Sequence, residues 1–218
     1  MDTIVNLLEG MGHALRIPTS FVVIEFIGTF AFALSGIRLA SAKQFDIFGA
    51  WIVGMATAIG GGTLRDVMLG LQPFWMTNSS YFVCCAIAVL WVMIFRKYLV
   101  HQNNAWFIFD TIGLALFNVI GIEKTLNMGL PAWTAITMGG VTGAGGGVIR
   151  DVLINEEPLI FHKEIYAMAC VAGGLVYVAG GHWGLGPNSN ALLSSLTVIV
   201  IRILAVKYHW HLPVVRGE

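Results

Sequence analysis

Apolar residues gather into seven long stretches, near 21–40, 50–70, 80–97, 105–123, 132–153, 165–181 and 190–206, with charged and turn-forming residues between them. A helix needs roughly 20 mostly apolar residues to cross about 30 Å of hydrocarbon. The pattern therefore predicts an all-α membrane protein of seven transmembrane helices, with the whole chain, 1–218, as a single transmembrane domain. Composition agrees, since 57% of the residues are hydrophobic and 11% charged, against about a quarter charged in soluble proteins.

The stretches are not independent. Residues 21–98 and 105–182 read as two copies of one three-helix unit, matched without a gap at an offset of 85, and 190–206 is a seventh helix with no partner. Gly28 answers to Gly113, Phe32 to Phe117, Gly36 to Gly121, Gly54 to Gly139, Thr57 to Thr142, Pro73 to Pro158, Tyr81 to Tyr166 and Cys85 to Cys170. A unit with an odd number of spans forces its second copy to enter from the opposite face. The halves are then related by a pseudo-two-fold axis in the membrane plane, an architecture that places permeation or substrate sites near mid-bilayer.

The strongest match is Gly60-Gly61-Gly62-x-x-Arg65-Asp66 with Gly145-Gly146-Gly147-x-x-Arg150-Asp151. Each interior glycine weakens a helix by about 1 kcal/mol relative to alanine, so a kink or broken turn is expected at each triplet, with freed carbonyls facing a polar path. The same residues also form small-residue stripes, Gly54-x-x-x-Ala58-x-x-x-Gly62 and Gly139-x-x-x-Gly143-x-x-x-Gly147. Stripes of this kind let helices approach closely. Both roles are expected, with spans two and five crossing near their triplets.

Arg65 falls at hydrocarbon depth, where a lone arginine costs at least about 2.5–3.5 kcal/mol, so it should face the bundle interior and be paired. Adjacent helical positions point apart, which argues against Asp66 as its partner. Depth selects Glu25 for Arg65 and its repeat mate Asp110 for Arg150, one pair on each side of the glycine zone. Asp66 and Asp151, nearer the helix ends, divide between a capping or interface role and a pathway role. Ser35, Thr57, Asn118, Thr137 and Thr142 add neutral polar groups at membrane depth, and Asn118 is the one expected to face the path.

Basic residues set the orientation. Nine of them (Arg38, Lys43, Arg96, Lys97, Arg150, Lys163, Arg202, Lys207, Arg216) fall on one side and three (Arg16, Arg65, Lys124) on the other. By the positive-inside rule, the carboxyl terminus is cytoplasmic and the amino terminus outside. The first twenty residues lack the layout of a cleaved signal, so the first span is expected to be retained.

Several classes of function are set aside. A net charge of zero gives no basic nucleic-acid surface, and Gly143-Ala144-Gly145-Gly146-Gly147-Val148 has valine where a dinucleotide fingerprint needs glycine. Cys84, Cys85 and Cys170 read as packing residues, and the six histidines form no ligand set. No cofactor or metal is expected. No catalytic residues are expected either, because no nucleophile, base and orienting group recur together. Tryptophans 75, 106, 133, 183 and 210 lie near span ends and read as interface anchors.

The doubled Gly-Gly-Gly-x-x-Arg-Asp motif, on the second span of each half with one span after, resembles the prokaryotic branch of the trimeric intracellular cation (TRIC) channels. This bacterial group is also described as a glycine transporter domain family. The resemblance runs from about Phe21 to Leu212. It implies a homotrimer in the bacterial inner membrane with an hourglass pathway in each protomer, lined by spans one, two, four and five and narrowed at the two glycine helices. The permeating species implied are monovalent cations, chiefly potassium with some sodium. Carried over by motif, the pathway residues are the two triplets with Arg65, Asp66, Arg150 and Asp151. A secondary transporter of glycine or another small amino acid fits the same architecture, with an arginine meeting the substrate's carboxylate.

Overall fold

The structure is a computed structural model and describes residues 19–101, 105–161 and 165–210. The described residues form seven α-helices: α1 (Thr19–Ala42), α2 (Ile47–Met68), α3 (Ser80–His101), α4 (Ala105–Asn127), α5 (Ala132–Leu153), α6 (Ala167–His182) and α7 (Pro187–Lys207). Short 3-10 turns at Phe74–Met76 and Leu159–Phe161 follow α2 and α5. The chain is thus an all-α membrane fold of two inverted three-helix repeats plus one extra helix. Arg16, Lys163, Arg216, His13, His162 and His211, which entered the charge and histidine readings above, lie outside the described residues, as do the side chains of Arg96, Lys97 and His101.

Local chemistry sets the helix ends. Asp46 caps α2 by accepting from the Gly49 amide at 2.6 Å, and proline precedes α5 and opens α7. The repeat extends to the turns. Gln44 and its mate Gly129 take positive φ after α1 and α4, and Gly70 and its mate Asn155 do so after α2 and α5, the left-handed residue that terminates many helices. The amide after each of the latter pair returns to the helix, Leu71 to the Asp66 carbonyl at 2.7 Å and Glu156 to the Asp151 carbonyl at 2.8 Å.

Length and composition alone qualify α1, α2, α4 and α7 to cross a membrane. Helix α6 is shorter, and the glycines of α5 dilute its apolar character. Large apolar side chains such as Leu90, Ile94, Leu192 and Leu196 project outward, which suits a lipid-facing surface and would be costly against water. Inside, α1, α2, α5 and α4 pack as a closed ring, each against its two neighbours, while the diagonals α1–α5 and α2–α4 barely meet. Helix α3 covers α1 and α2, and α6 and α7 cover α4 and α5. The carboxyl-terminal face is the one toward which α7 runs.

Candidate functional site

The middle of the ring is built from reciprocal contacts between repeat mates. Phe32 of α1 stacks on Phe117 of α4 with centroids 5.4 Å apart. A Cβ on Gly113 would lie 2.4 Å from the Phe32 ring, and one on Gly28 would lie 3.1 Å from Phe117. Across the other seam, a Cβ on Gly61 would meet the Thr142 carbonyl at 2.1 Å and one on Gly146 the Thr57 carbonyl at 2.2 Å. Contacts that recur with the partners exchanged are what a pseudo-two-fold axis produces.

This geometry corrects the expected break at each triplet. Helices α2 and α5 continue as α-helix through residues 60–62 and 145–147, so neither triplet is a broken turn. Three successive glycines are needed because three neighbours press in from different directions. In α2, Gly60 faces Ile149 of α5, Gly61 faces the α5 backbone, and Gly62 faces the Phe74 ring at 2.5 Å. In α5, Gly145 faces Leu64 and the Gly61 backbone, Gly146 faces the α2 backbone, and Gly147 faces the Tyr166 hydroxyl at 2.5 Å. At Gly61 and Gly146 the helix cost of glycine is offset by a backbone approach that no Cβ permits.

Charges close the ring at either end. Toward the face opposite the carboxyl-terminal one, the Arg65 guanidinium lies 3.9 Å from Glu25, too far for a hydrogen bond but within Coulombic reach. Its Nε donates to Asp66 Oδ1 at 2.8 Å, so the argument against the adjacent aspartate fails. That argument follows Cβ directions, whereas a guanidinium on a long flexible stem swings through the angle between them. Asp66 also accepts from Lys124 Nζ at 2.9 Å and, through Oδ2, from the Phe74 amide at 3.0 Å. The first of these links α4 to α2 along a diagonal of the ring; the second pins the loop back onto the helix. Tyr81 donates to the second Glu25 oxygen at 2.8 Å.

The carboxyl-terminal cluster repeats this plan with differences. Arg150 is ion-paired with Asp110, donates from Nε to Asp151 Oδ1 at 2.8 Å, and donates from Nη1 to Ser35 of α1 at 2.9 Å along the other diagonal. Asp151 Oδ2 accepts from the Leu159 amide at 3.1 Å, the repeat mate of the Phe74 bond. Arg65, Asp66, Asp110 and Arg150 are fully buried and Asp151 nearly so, whereas Glu25 keeps some exposure. Both aspartates thus bond loop amides eight residues on while pairing with arginine.

Other candidates scatter. Thr57 and Thr142 bond to their own helix backbones at Val53 and Met138, and Thr137 does so on the exposed surface. Asn118 does not face the ring interior as expected; it is buried against Gly139 of α5 and Gly173 of α6, because those glycines open space on that side. Sequence reasoning placed Lys124 only as a loop-side charge, and missed that it is buried and ion-paired. It also missed Arg202, whose guanidinium lies over the Tyr166 and Phe107 rings. Trp106, read as an anchor, lies under the Arg150 guanidinium at 6.0 Å.

A cavity of 20 Å³, about one water's worth of space, opens beside Lys124 among Phe21, Glu25, Ile120 and Glu123. A larger one of 470 Å³ lies apart from both charged clusters, between α1, α2 and α3 near Arg38 and Asp46. Among the described residues no group of three or more His, Cys, Asp or Glu is placed to hold a metal ion.

Comparison with known proteins follows the same repeat. A family model described as Glycine transporter matches residues 22–97 and again 107–182. The chain is 41% identical to a UPF0126 membrane protein of Vibrio cholerae, over 88% of this chain and 81% of that one. It is 36% identical to the UPF0126 inner membrane protein YadS of Escherichia coli, over 87% and 93% respectively. The crystal structure of the TRIC trimeric intracellular cation channel orthologue from Rhodobacter sphaeroides superposes with a TM-score of 0.82 at 29% identity, covering 88% of this chain and all of that one.

Proposed function

The chain is an integral membrane protein of the prokaryotic TRIC channel family, whose sequence model carries the description Glycine transporter, and we propose that it conducts monovalent cations, potassium and to a lesser extent sodium, through a pathway in each protomer of a homotrimer. The pathway runs within the α1–α2–α5–α4 ring, past both glycine triplets and the two charged clusters. Residues 21–98 and 105–182 act as its two gating halves, with 190–206 as a supporting helix. The protein resides in a bacterial inner membrane with its amino terminus outside and its carboxyl terminus in the cytoplasm, as its basic residues favour.

One observation carries this reading. Two arginines at membrane depth would repel cations if they stood alone, yet each is matched by two carboxylates, Arg65 by Glu25 and Asp66, Arg150 by Asp110 and Asp151. Taken with its arginine, each cluster carries one excess negative charge, and Lys124 neutralises that excess in the first. Acidic groups at a constriction favour cations. On this reading the described arrangement is the closed state: the Lys124–Asp66 and Arg150–Ser35 links span the ring at its two ends, and conduction requires both to part.

Transport of glycine or another small amino acid is the second reading. It is favoured by the buried Nη1 and Nη2 of Arg65, which have no hydrogen-bond partner and suit a substrate carboxylate. Purified protein in potassium-loaded liposomes separates the two. A potassium diffusion potential that forms with the protein and not without it supports the channel. Saturable glycine uptake without that potential replaces it with the transporter.

A further inference from the structure

The tyrosines Tyr81 and Tyr166 are repeat mates, but they are held by different means. Tyr81 stacks on Phe26 at 4.8 Å, meets Phe74 edge-on at 4.6 Å and donates its hydroxyl to Glu25. At the offset of 85 these three neighbours become Thr111, Leu159 and Asp110. Both aromatic supports are therefore lost, and the carboxylate is one methylene shorter. The Tyr166 hydroxyl is buried without a hydrogen-bond partner, and so is the Asp110 Oδ2 oxygen.

What replaces the missing supports comes from the unrepeated helix. The Arg202 guanidinium of α7 lies 4.8 Å from the Tyr166 ring centroid and 5.0 Å from that of Phe107, and its Nη1 donates to the Ile165 carbonyl at 3.2 Å. Arg202 is completely buried, so its attraction to the ring faces is not weakened by water. Tyr166 in turn seats its hydroxyl against Gly147, the last glycine of the α5 triplet and three residues before Arg150. A line of contacts thus joins α7 to the Arg150 cluster through one aromatic ring.

We propose that Arg202 is a positioning residue for the gate at the carboxyl-terminal end, holding Tyr166 against Gly147 and so keeping the Arg150–Asp110–Ser35 closure in place. The role rests on the channel reading above. Tyr81 at the opposite end is held by Phe26, Phe74 and Glu25, all within its own repeat, so the two gates differ in kind, and only the carboxyl-terminal one depends on a cation outside the repeat. Helix α7 then acts as the element that biases one gate without lining the pathway.

The test is single-channel recording of full-length wild type, Arg202→Gln, Arg202→Lys and Phe107→Leu proteins in planar bilayers. Arg202→Gln should raise open probability about ten-fold at fixed voltage, the equivalent of about 1.4 kcal/mol of closing bias, with unitary conductance unchanged. Arg202→Lys, which keeps a cation over the ring, should restore most of the wild-type behaviour. Phe107→Leu removes one of the two ring faces and should shift open probability in the same direction by about two- to three-fold; it keeps the test decisive should Arg202→Gln not fold. A purely structural arginine would lower thermal stability in Arg202→Gln and Arg202→Lys alike and leave gating of the folded protein unchanged, and that result overturns the proposal. Wild-type protein without cation current overturns the channel reading and this inference together, whereas wild-type current with unaltered gating in the variants overturns the inference alone.

Discussion

Arg65 and Arg150 occupy matching positions, but their carboxylate partners differ in burial and distance. Asp110 is fully buried and directly hydrogen-bonded to Arg150, whereas Glu25 keeps 14% side-chain exposure and stands 3.9 Å from Arg65. Removing Asp110 leaves Arg150 paired with Asp151 alone and takes a buried acceptor from its Nη1, a loss of about 1–3 kcal/mol. A pair with partial water access is worth about 1 kcal/mol or less. Asp110→Asn should therefore lower the thermal midpoint of the detergent-purified protein much more than Glu25→Gln, and equal shifts would contradict this ranking. The partnership of each arginine with a carboxylate on the preceding span could be read from depth alone, because an arginine in hydrocarbon must be paired. The bonds to Asp66 and Asp151 could not, because they depend on side-chain reach and on loops folding back to place the Phe74 and Leu159 amides. Lys124 was hidden for a related reason: its position near a span end looks exposed in sequence, and the direction of its amine, across the ring to Asp66, shows only in the packing.

At the level of the helix, glycine has two readings that sequence does not separate, since weakness and close approach use the same residue. The structure favours close approach, with α2 and α5 continuous and each triplet pressed by three neighbours. Gly61→Ala and Gly146→Ala place a methyl group against a backbone carbonyl that cannot rotate away. Each should destabilise the protein by at least the roughly 1–3 kcal/mol typical of overpacking. Gly140 lies on the same helix as Gly146 with nothing within 4 Å of its would-be Cβ, so Gly140→Ala should be neutral or stabilising by up to about 1 kcal/mol. If the triplets served as flexible breaks instead, all three substitutions would stiffen the helices and raise the melting temperature together. Periodicity revealed the crossing of the two helices; the direction each glycine faces emerged only from the packing.

In the molecule as a whole, the doubled sequence made the seven-helix count and the inverted symmetry legible, because a gapless offset leaves little freedom in how two halves can pack. The seventh helix was not legible in function: it has no mate, and its polar side chains engage partners remote in sequence, as Ser194 does with the Gly173 carbonyl and Arg202 with Tyr166. The account joins these scales in one claim, that a ring of four helices sealed by neutralised arginines opens to let cations through. Its most direct test is the reversal potential of single-channel current from purified wild-type protein in a planar bilayer under a potassium chloride gradient. The account predicts unitary currents that reverse close to the potassium equilibrium potential. Currents that reverse near the chloride potential, or a bilayer that stays silent with folded protein inserted, would contradict it.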